Sequence, residues 1–200
     1  MVEGAIQPSQ PSRLTLVTGP SRSGKSRWAE HLATTSGLPV LYLATGPLYP
    51  GDLAWQQRLA LHRQQRPASW PTWEVEGALA EALDRVPPGC CVLIDSLGTW
   101  LSHHLELESA DWQRQQNGLL AALERCCSPQ LVVCEETGWG VVPATAIGGR
   151  FRDRLGRLGQ LLQARSGASW LVVHGRALDL LALSQPVPPE ATPTAGGATP

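Results

Sequence analysis

The sequence predicts an α/β protein whose mainly parallel sheet carries helices on both faces. Short apolar runs alternate along the chain with segments of helical periodicity, and the runs are rich in valine and leucine without polar alternation. Strands that are covered on both faces have this pattern, and strand–helix alternation is typical of a parallel sheet. Functional groups then gather at the carboxyl ends of the strands. The predicted strands are 14–18, 39–44, 90–95, 130–134 and 169–174.

The segments between these runs carry the helical signal. In 25–35, apolar residues pair at a spacing of four, and in 147–165 they recur along one helix face. The positions concerned are Trp28 with Leu32, Ala29 with Ala33, and the stripe Phe151, Leu155, Leu158 and Leu162.

Composition favours one domain. The chain has 200 residues, of which 42% are hydrophobic, and we expect a single folded domain over 13–183. A formal charge of −1 argues against nucleic acid or an anionic membrane as a partner. No apolar run is long enough to span a bilayer, and no signal peptide is recognisable, so we expect a cytoplasmic protein.

Segments 1–12 and 184–200 are polar or rich in proline, which predicts a flexible N-terminal segment and a disordered tail.

The cysteines and isolated histidines do not form a recognisable metal motif. Two adjacent cysteine pairs and a single cysteine lack the CxxC spacing of zinc sites, so we expect buried thiols in a reducing compartment. We interpret three histidines as structural for the same reason. The residues are Cys90, Cys91, Cys126, Cys127, Cys134, His103, His104 and His174.

The segment GPSRSGKS, residues 19–26, matches G-x-x-x-x-G-K-[ST] between a predicted strand and a predicted helix, the context that the motif requires. Glycines allow a tight turn whose amides bind phosphate at the positive end of a helix. Lys25 is the only lysine among 16 lysine and arginine residues, and its compact charge suits a phosphate in transfer. The alternative is an incidental loop that caps a helix. The predicted nucleotide contacts are Gly19, Pro20, Ser21, Arg22, Ser23, Gly24, Lys25 and Ser26.

A P-loop also needs oxygen ligands for Mg²⁺. Ser26 would supply one, and Asp95, which ends the run CCVLID, is the natural second ligand at the end of a neighbouring strand. The alternative for Asp95 is an N-cap, because aspartate commonly precedes a helix.

A second informative segment is 55–74, WQQRLALHRQQRPASWPTWE. On a helix, Arg58, His62 and Arg66 fall within an arc of roughly 80°. Two fixed cations would bias the histidine toward its neutral, nucleophilic form and could hold a triphosphate beside it. The alternative from spacing alone is a histidine on a helix surface.

Five segments in order carry a family resemblance: the P-loop, LHRQQRPASWPTWE, LIDSLGTWL, EETGWGVVP and GRFRDRLGRL. Over about residues 13–176 the chain resembles the bifunctional adenosylcobinamide kinase / adenosylcobinamide-phosphate guanylyltransferase family of cobalamin biosynthesis. The resemblance implies a RecA-like P-loop NTPase fold, ATP and GTP as substrates, Mg²⁺, and a trimer. It implies phosphorylation of adenosylcobinamide, then transfer of GMP from GTP through a guanylylated histidine to give adenosylcobinamide-GDP.

The resemblance also assigns residues by position. His62 matches the guanylylated histidine, and Lys25 serves phosphate transfer. Beyond the P-loop, the implied nucleotide contacts are Leu43, Ala44, Thr45, Arg63, Gln64, Gln65, Arg66, Glu74 and Asp95. Three positions depart from the family pattern, because His103, Glu135 and Gly159 stand where asparagine is usual.

Several alternatives stay open at this point. Loop 135–143 could be a lid over the substrate or a plain connector. The basic stripe Arg150, Arg154 and Arg157 could be a solvated face, or could serve an interface or a phosphate. The competing functions are a P-loop small-molecule kinase without guanylyltransferase activity and a non-catalytic nucleotide-binding module.

Overall fold

The structure, a computed structural model, describes residues 13–47, 51–53, 56–57, 60, 63, 66–140 and 142–188. Segments 1–12 and 189–200 lie outside the described residues, so the predictions for the two chain ends stay predictions. The strands are β1 Leu14–Gly19, β2 Val40–Ala44, β3 Thr72–Glu74, β4 Cys91–Asp95, β5 Gln130–Glu135, β6 Ala168–Val173 and β7 Arg176–Asp179. The helices within these ranges are α1 Lys25–Thr35, α2 Leu79–Leu83, α3 Leu97–His103, α4 Ser109–Arg125, α5 Ala146–Gln163 and α6 Leu180–Leu183.

The sheet has seven strands in the order β3-β2-β4-β5-β1-β6-β7. Every pair is parallel except β6 with β7, which is antiparallel. The α/β class with a mainly parallel sheet is therefore confirmed, as are the five predicted strands. Two further strands, β3 and β7, were not predicted. They have three and four residues and alternate between exposed and half-buried positions.

Helices cover both faces of the sheet, as expected. On one face, α1 buries Ala29 and Ala33 against Val17 and Val133. On the other face, helix α5 buries Leu155, Leu158 and Leu162 against alternate strand residues such as Leu16 and Val132. Successive strand residues point to opposite faces, which explains why the runs are apolar throughout.

The predicted stripe on α5 is confirmed, because Leu155, Leu158 and Leu162 are buried and Phe151 packs against the same core. The N-cap of the helix is Thr145, whose side chain accepts a hydrogen bond from the amide of Gly148 at 3.2 Å. This contact satisfies one of the amides that a helix N-terminus leaves without an internal partner.

The thiols are buried with one exception. All five cysteines are free, and four are buried, whereas Cys127 is exposed. The prediction of buried thiols was therefore wrong for Cys127, because it lies in the short turn after α4 rather than on a strand. Among the described residues, no helix combines the length and apolar character needed to cross a membrane.

Candidate nucleotide-binding site

The glycine-rich loop joins the end of β1 to the start of α1. Gly24 stands before the first helical residue with φ of 100°, a conformation that glycine adopts without steric cost. A Cβ on Gly19 would lie 2.3 Å from the carbonyl oxygen of Val172 on β6, so only hydrogen fits there. The end of β1 is thus packed tightly against β6, and the first amides of α1 lack partners within the helix.

Lys25 is the first residue of α1. Its Nζ donates to the carbonyl oxygen of Pro20 at 3.4 Å, so the ammonium group lies over its own loop. The amide of Gly175, in the turn between β6 and β7, donates to the carbonyl of Ser23 at 2.9 Å. The hydroxyl of Ser23 is buried without a hydrogen-bond partner. A cation and an unsatisfied hydroxyl therefore adjoin the loop where phosphate would bind.

Strand β5, not β4, lies next to the P-loop strand. The expectation that Asp95 ends a neighbouring strand was wrong, because β4 pairs with β2 and β5, and β5 separates it from β1. Strands in a sheet are ~4.8 Å apart, so β1 and β4 are about 10 Å apart. The acidic residue on the strand next to β1 is Glu135, which pairs in register with Gly19. From the sequence, Glu135 is a departure from the family pattern and the first residue of loop 135–143, and nothing there predicts its place beside Gly19.

The carboxylate of Glu135 joins β5 to the start of α3. It accepts hydrogen bonds from the amide of Gly98 at 2.8 Å and from the hydroxyl of Ser96. A carboxylate at a helix N-terminus is stabilised by the amides there. The next residue, Glu136, donates its amide to the carbonyl of Gly19 at 2.9 Å. Tertiary contacts thus place two glutamates beside the phosphate loop.

On the α1 side of the sheet, Asp95 belongs to a polar cluster. The Tyr42 hydroxyl donates to Asp95 Oδ2 at 2.9 Å, and the guanidinium of Arg66 lies 3.6 Å from the centre of the Tyr42 ring. Burial, with Asp95 nearby, raises the pKa of Tyr42 well above its ordinary value. Burial is also the main reason that the pKa of Glu30 rises to about 7, and the charge of Asp95 adds to it. Within this cluster, Arg66 Nε is buried without a hydrogen-bond partner.

Residues Leu43, Ala44 and Thr45 lie at the carboxyl end of β2 and are buried. Thr45 Oγ1 donates to the carbonyl of Ser96 at 2.6 Å, and His103 Nε2 lies 3.1 Å from the carbonyl of Thr45. Their buried side chains support the loop after β4. Their predicted nucleotide contacts remain predictions.

Arg63 and Glu74, two predicted nucleotide contacts, form an ion pair of 2.7 Å. The pair connects the segment that contains His62 to β3. The prediction that Arg58, His62 and Arg66 share one arc of a helix stays a prediction, because Arg58, His62, Gln64 and Gln65 lie outside the described residues.

The donors present fit a magnesium ion that accompanies a nucleotide. Among the described residues, no group of three or more histidine, cysteine or acidic side chains could hold a metal ion by itself. Mg²⁺ usually keeps several waters and takes one or two protein oxygens plus substrate phosphates. Ser26, second in α1, and Asp95 supply oxygens of the type that it prefers.

Within the basic stripe, Arg154 makes structural contacts. Arg154 donates to the carbonyls of Leu105 at 3.0 Å and Leu107 at 2.6 Å, and its guanidinium lies 5.0 Å from the Trp112 ring. Burial lowers the pKa of Arg154, and the charge of Arg150 adds to this effect. These contacts hold the turn after α3 against α5, a role that neither open alternative had named.

The structural interpretation of two histidines agrees with their contacts. His103 adjoins the carbonyl of Thr45, and His104 Nε2 lies 3.1 Å from the carbonyl of Gly77. Burial lowers the pKa of His104.

In loop 135–143, Arg152 donates to the carbonyl of Gly138 at 3.0 Å, which attaches this part of the loop to α5.

These features together define the class of the protein. They are a parallel strand, a glycine-rich turn that admits no Cβ at Gly19, a lysine at the start of the helix and acidic residues at the end of the adjacent strand β5. The protein is a P-loop nucleotide-binding α/β protein.

The comparison with known families gives the particular group. Residues 15–180 match the model of the family described as "Cobinamide kinase / cobinamide phosphate guanyltransferase". The chain belongs to this family of transferases.

Curated relatives agree with that assignment. The chain is 38% identical over 169 residues to the bifunctional adenosylcobalamin biosynthesis protein CobP of Pseudomonas aeruginosa, with 82% of this chain and 95% of that protein covered. It is 35% identical over 177 residues to the corresponding CobU of Escherichia coli, with 81% and 96% covered. The CobU of Salmonella typhimurium is 33% identical with the same coverage. A solved RadB recombinase superposes with a TM-score of 0.44 at 18% identity over 80% of this chain and 74% of that one.

Proposed function

We propose that this protein phosphorylates adenosylcobinamide and then transfers GMP from GTP to the product, through a guanylyl-histidine at His62. The observation that carries the proposal is the family match over residues 15–180, which includes both the P-loop and the His62 segment. The P-loop geometry and the arginines beside His62 in the chain support it.

In the kinase step, the acceptor hydroxyl attacks the γ-phosphorus and the bond to the β–γ bridging oxygen breaks. The amides of the P-loop and the ammonium of Lys25 stabilise the charge that moves to the leaving diphosphate. Mg²⁺, when bound with the nucleotide, neutralises phosphate charge, and Ser26 and Asp95 would hold it. Catalysis here is mainly positioning and electrostatics, so the close packing of Gly19 against β6 helps to position the phosphates.

In the guanylyl step, a nitrogen of His62 attacks the α-phosphorus of GTP and pyrophosphate leaves. A phosphate oxygen of the corrinoid then attacks that phosphorus, and the N–P bond breaks. Arg66, which is held on the Tyr42 ring, and Arg63, which is paired with Glu74, place positive charge in this segment. This charge suits a bound triphosphate.

The oligomeric state and the cellular location are part of the proposal. We infer a homotrimer from the family resemblance and a cytoplasmic location from the nucleotide substrates and the free thiols. The competing possibilities are a small-molecule kinase in which His62 is structural and a module that binds nucleotide without turnover.

The test is trapping of the intermediate. The protein is incubated with Mg²⁺ and GTP labelled at the α-phosphorus, then denatured, and protein-bound label is measured. We expect acid-labile label on the wild-type protein and none on the His62→Ala variant. The control variant His31→Ala, which changes an exposed histidine on α1, should keep the label. GTP labelled at the γ-phosphorus with cobinamide then tests the kinase step.

The outcomes separate the candidates. Phosphorylated corrinoid without protein-bound label would reduce the function to the kinase. Nucleotide binding with neither product would leave only the non-catalytic module.

A further inference from the structure

A cleft of about 590 Å³ lies between α5 on one side and β1, β5 and the loop after β5 on the other. Ligand pockets usually have volumes of this order. Its polar lining includes Thr18, Glu135, Glu136, Arg152, Gln160 and Gln163. Of these residues, Glu135 and Glu136 belong to loop 135–143, for which a lid over the substrate was one alternative from the sequence. The predicted nucleotide contacts are absent from the lining.

The cleft adjoins the phosphate loop directly. Glu135 pairs with Gly19, and the amide of Glu136 donates to the carbonyl of Gly19 at 2.9 Å. The cleft lies on the α5 face, because Leu155 and Cys134 line it. The cluster of Tyr42, Asp95 and Arg66 belongs to the α1 face. A molecule in the cleft would therefore reach the P-loop from the side opposite that cluster.

Two glycines of α5 give the cleft its width. Gly156 and Gly159 line it, and a Cβ on either would contact nothing within 4 Å. Glycine inside a helix costs about 0.5–1 kcal/mol relative to alanine. The helix thus carries two unfavourable residues where side chains would otherwise project into the space beside the phosphate loop.

The charge of the lining disfavours a second nucleotide. Three acidic residues, Glu135, Glu136 and Asp153, face two arginines, Arg152 and Arg157. A polyphosphate would meet excess negative charge there. Neutral carboxamides, which both donate and accept hydrogen bonds, suit carboxylates together with arginine and glutamine side chains.

We propose that this cleft binds the carboxamide-bearing edge of the corrinoid acceptor and presents its hydroxyl, and later its phosphate, to the nucleotide side of the P-loop. The inference rests on the proposed function, which supplies the corrinoid. Corrinoids carry several primary amides around the ring, so the cleft takes one edge and the remainder extends over the first part of the loop after β5, residues 135–140. Arg152, through its contact with Gly138, holds that loop beside the cleft.

The test is a substitution that fills the cleft and leaves the residues of the P-loop unchanged. Gly159→Leu places a side chain in open space on a helix, so folding should be kept or improved. Binding of cobinamide, measured by equilibrium dialysis, should weaken at least about tenfold, and the KM for cobinamide should rise similarly. Protein-bound label from GTP alone should stay within about twofold of wild type, because GTP does not use the cleft.

The matched control is Gly118→Leu, on α4, which also meets nothing within 4 Å and does not line the cleft. It should leave cobinamide binding unchanged. Gly156→Leu is a second filling variant and should behave like Gly159→Leu.

Wild-type affinity for cobinamide in both filling variants would overturn the inference, as would a wild-type protein that binds no cobinamide. Failure of the proposed function looks different: the wild type would give neither protein-bound label nor phosphorylated corrinoid, whatever its affinity for cobinamide.

Discussion

Lys25 lies where its ammonium group contacts the carbonyl of its own loop at Pro20. A bound phosphate would offer this group a stronger, charged partner. We expect Lys25→Ala to lower kcat of the kinase step by about 100-fold or more, since loss of one preorganised donor has an effect of this size. Lys25→Arg should not restore the rate, because a planar guanidinium cannot replace a compact charge in this loop. Steady-state kinetics with cobinamide would measure both, and full activity of the arginine variant would contradict the argument.

Gly19 has no room for a side chain. Its Cβ would meet the carbonyl oxygen of Val172 at 2.3 Å and the Ser23 hydroxyl at 2.8 Å. Gly19→Ala should therefore lower the free energy of unfolding by about 1–3 kcal/mol and weaken GTP binding, because backbone must move in β6 or in the loop. Urea denaturation and GTP titration would check this.

The control for that substitution is Gly118→Ala. This glycine lies in a helix with open space around it, so the variant should gain about 0.5–1 kcal/mol of stability and keep GTP binding. Equal effects of the two substitutions would contradict the packing argument.

At the scale of elements, α5 both completes the core and forms one wall of the cleft. Leu158 is fully buried on its inner face, whereas Ile147 near its start is 46% exposed. We expect Leu158→Ala to cost about 2–5 kcal/mol of unfolding free energy, and Ile147→Ala to cost far less. Urea denaturation of both variants would measure the difference. Similar losses would mean that α5 is not packed as described.

The helical stripe of α5 was predictable because its apolar spacing is periodic, and β1, β2, β4, β5 and β6 were predictable because buried strands are uniformly apolar. The strands β3 and β7 were not, since they are short and sit at the two ends of the strand order, where one side of the strand lacks a partner within the described sheet. Their residues carry no continuous apolar signal, and neighbouring strands specify their pairing.

For the whole molecule, the half-buried carboxyl of Glu30 makes stability depend on pH. Its pKa rises from 4.5 to about 7, chiefly through burial and also through the charge of Asp95. Between these values the folded chain holds a proton that the unfolded chain has released. The free energy of unfolding should therefore fall as the pH rises from 4.5 to 7.

Glu30→Gln isolates this contribution. The variant cannot ionise at this position, so its stability relative to wild type should increase over the same pH range. Urea denaturation at both ends of the range would measure the change, with Glu81→Gln, an exposed glutamate on α2, as the control. An unchanged pH dependence in Glu30→Gln would show that Glu30 is not the group responsible.

The sequence by itself determined the fold class, the phosphate loop and the family, because these depend on local periodicity and on residues within a few positions of one another. Residues 19–26 need only the strand before them and the helix after them to form an anion site. Tertiary structure decided which groups meet across the sheet. Strand order placed Glu135 rather than Asp95 beside Gly19. The packing of α5 gave Arg154 its carbonyl partners in the turn after α3 and left open space at Gly156 and Gly159. These arrangements join residues that are distant in sequence, so local spacing does not encode them.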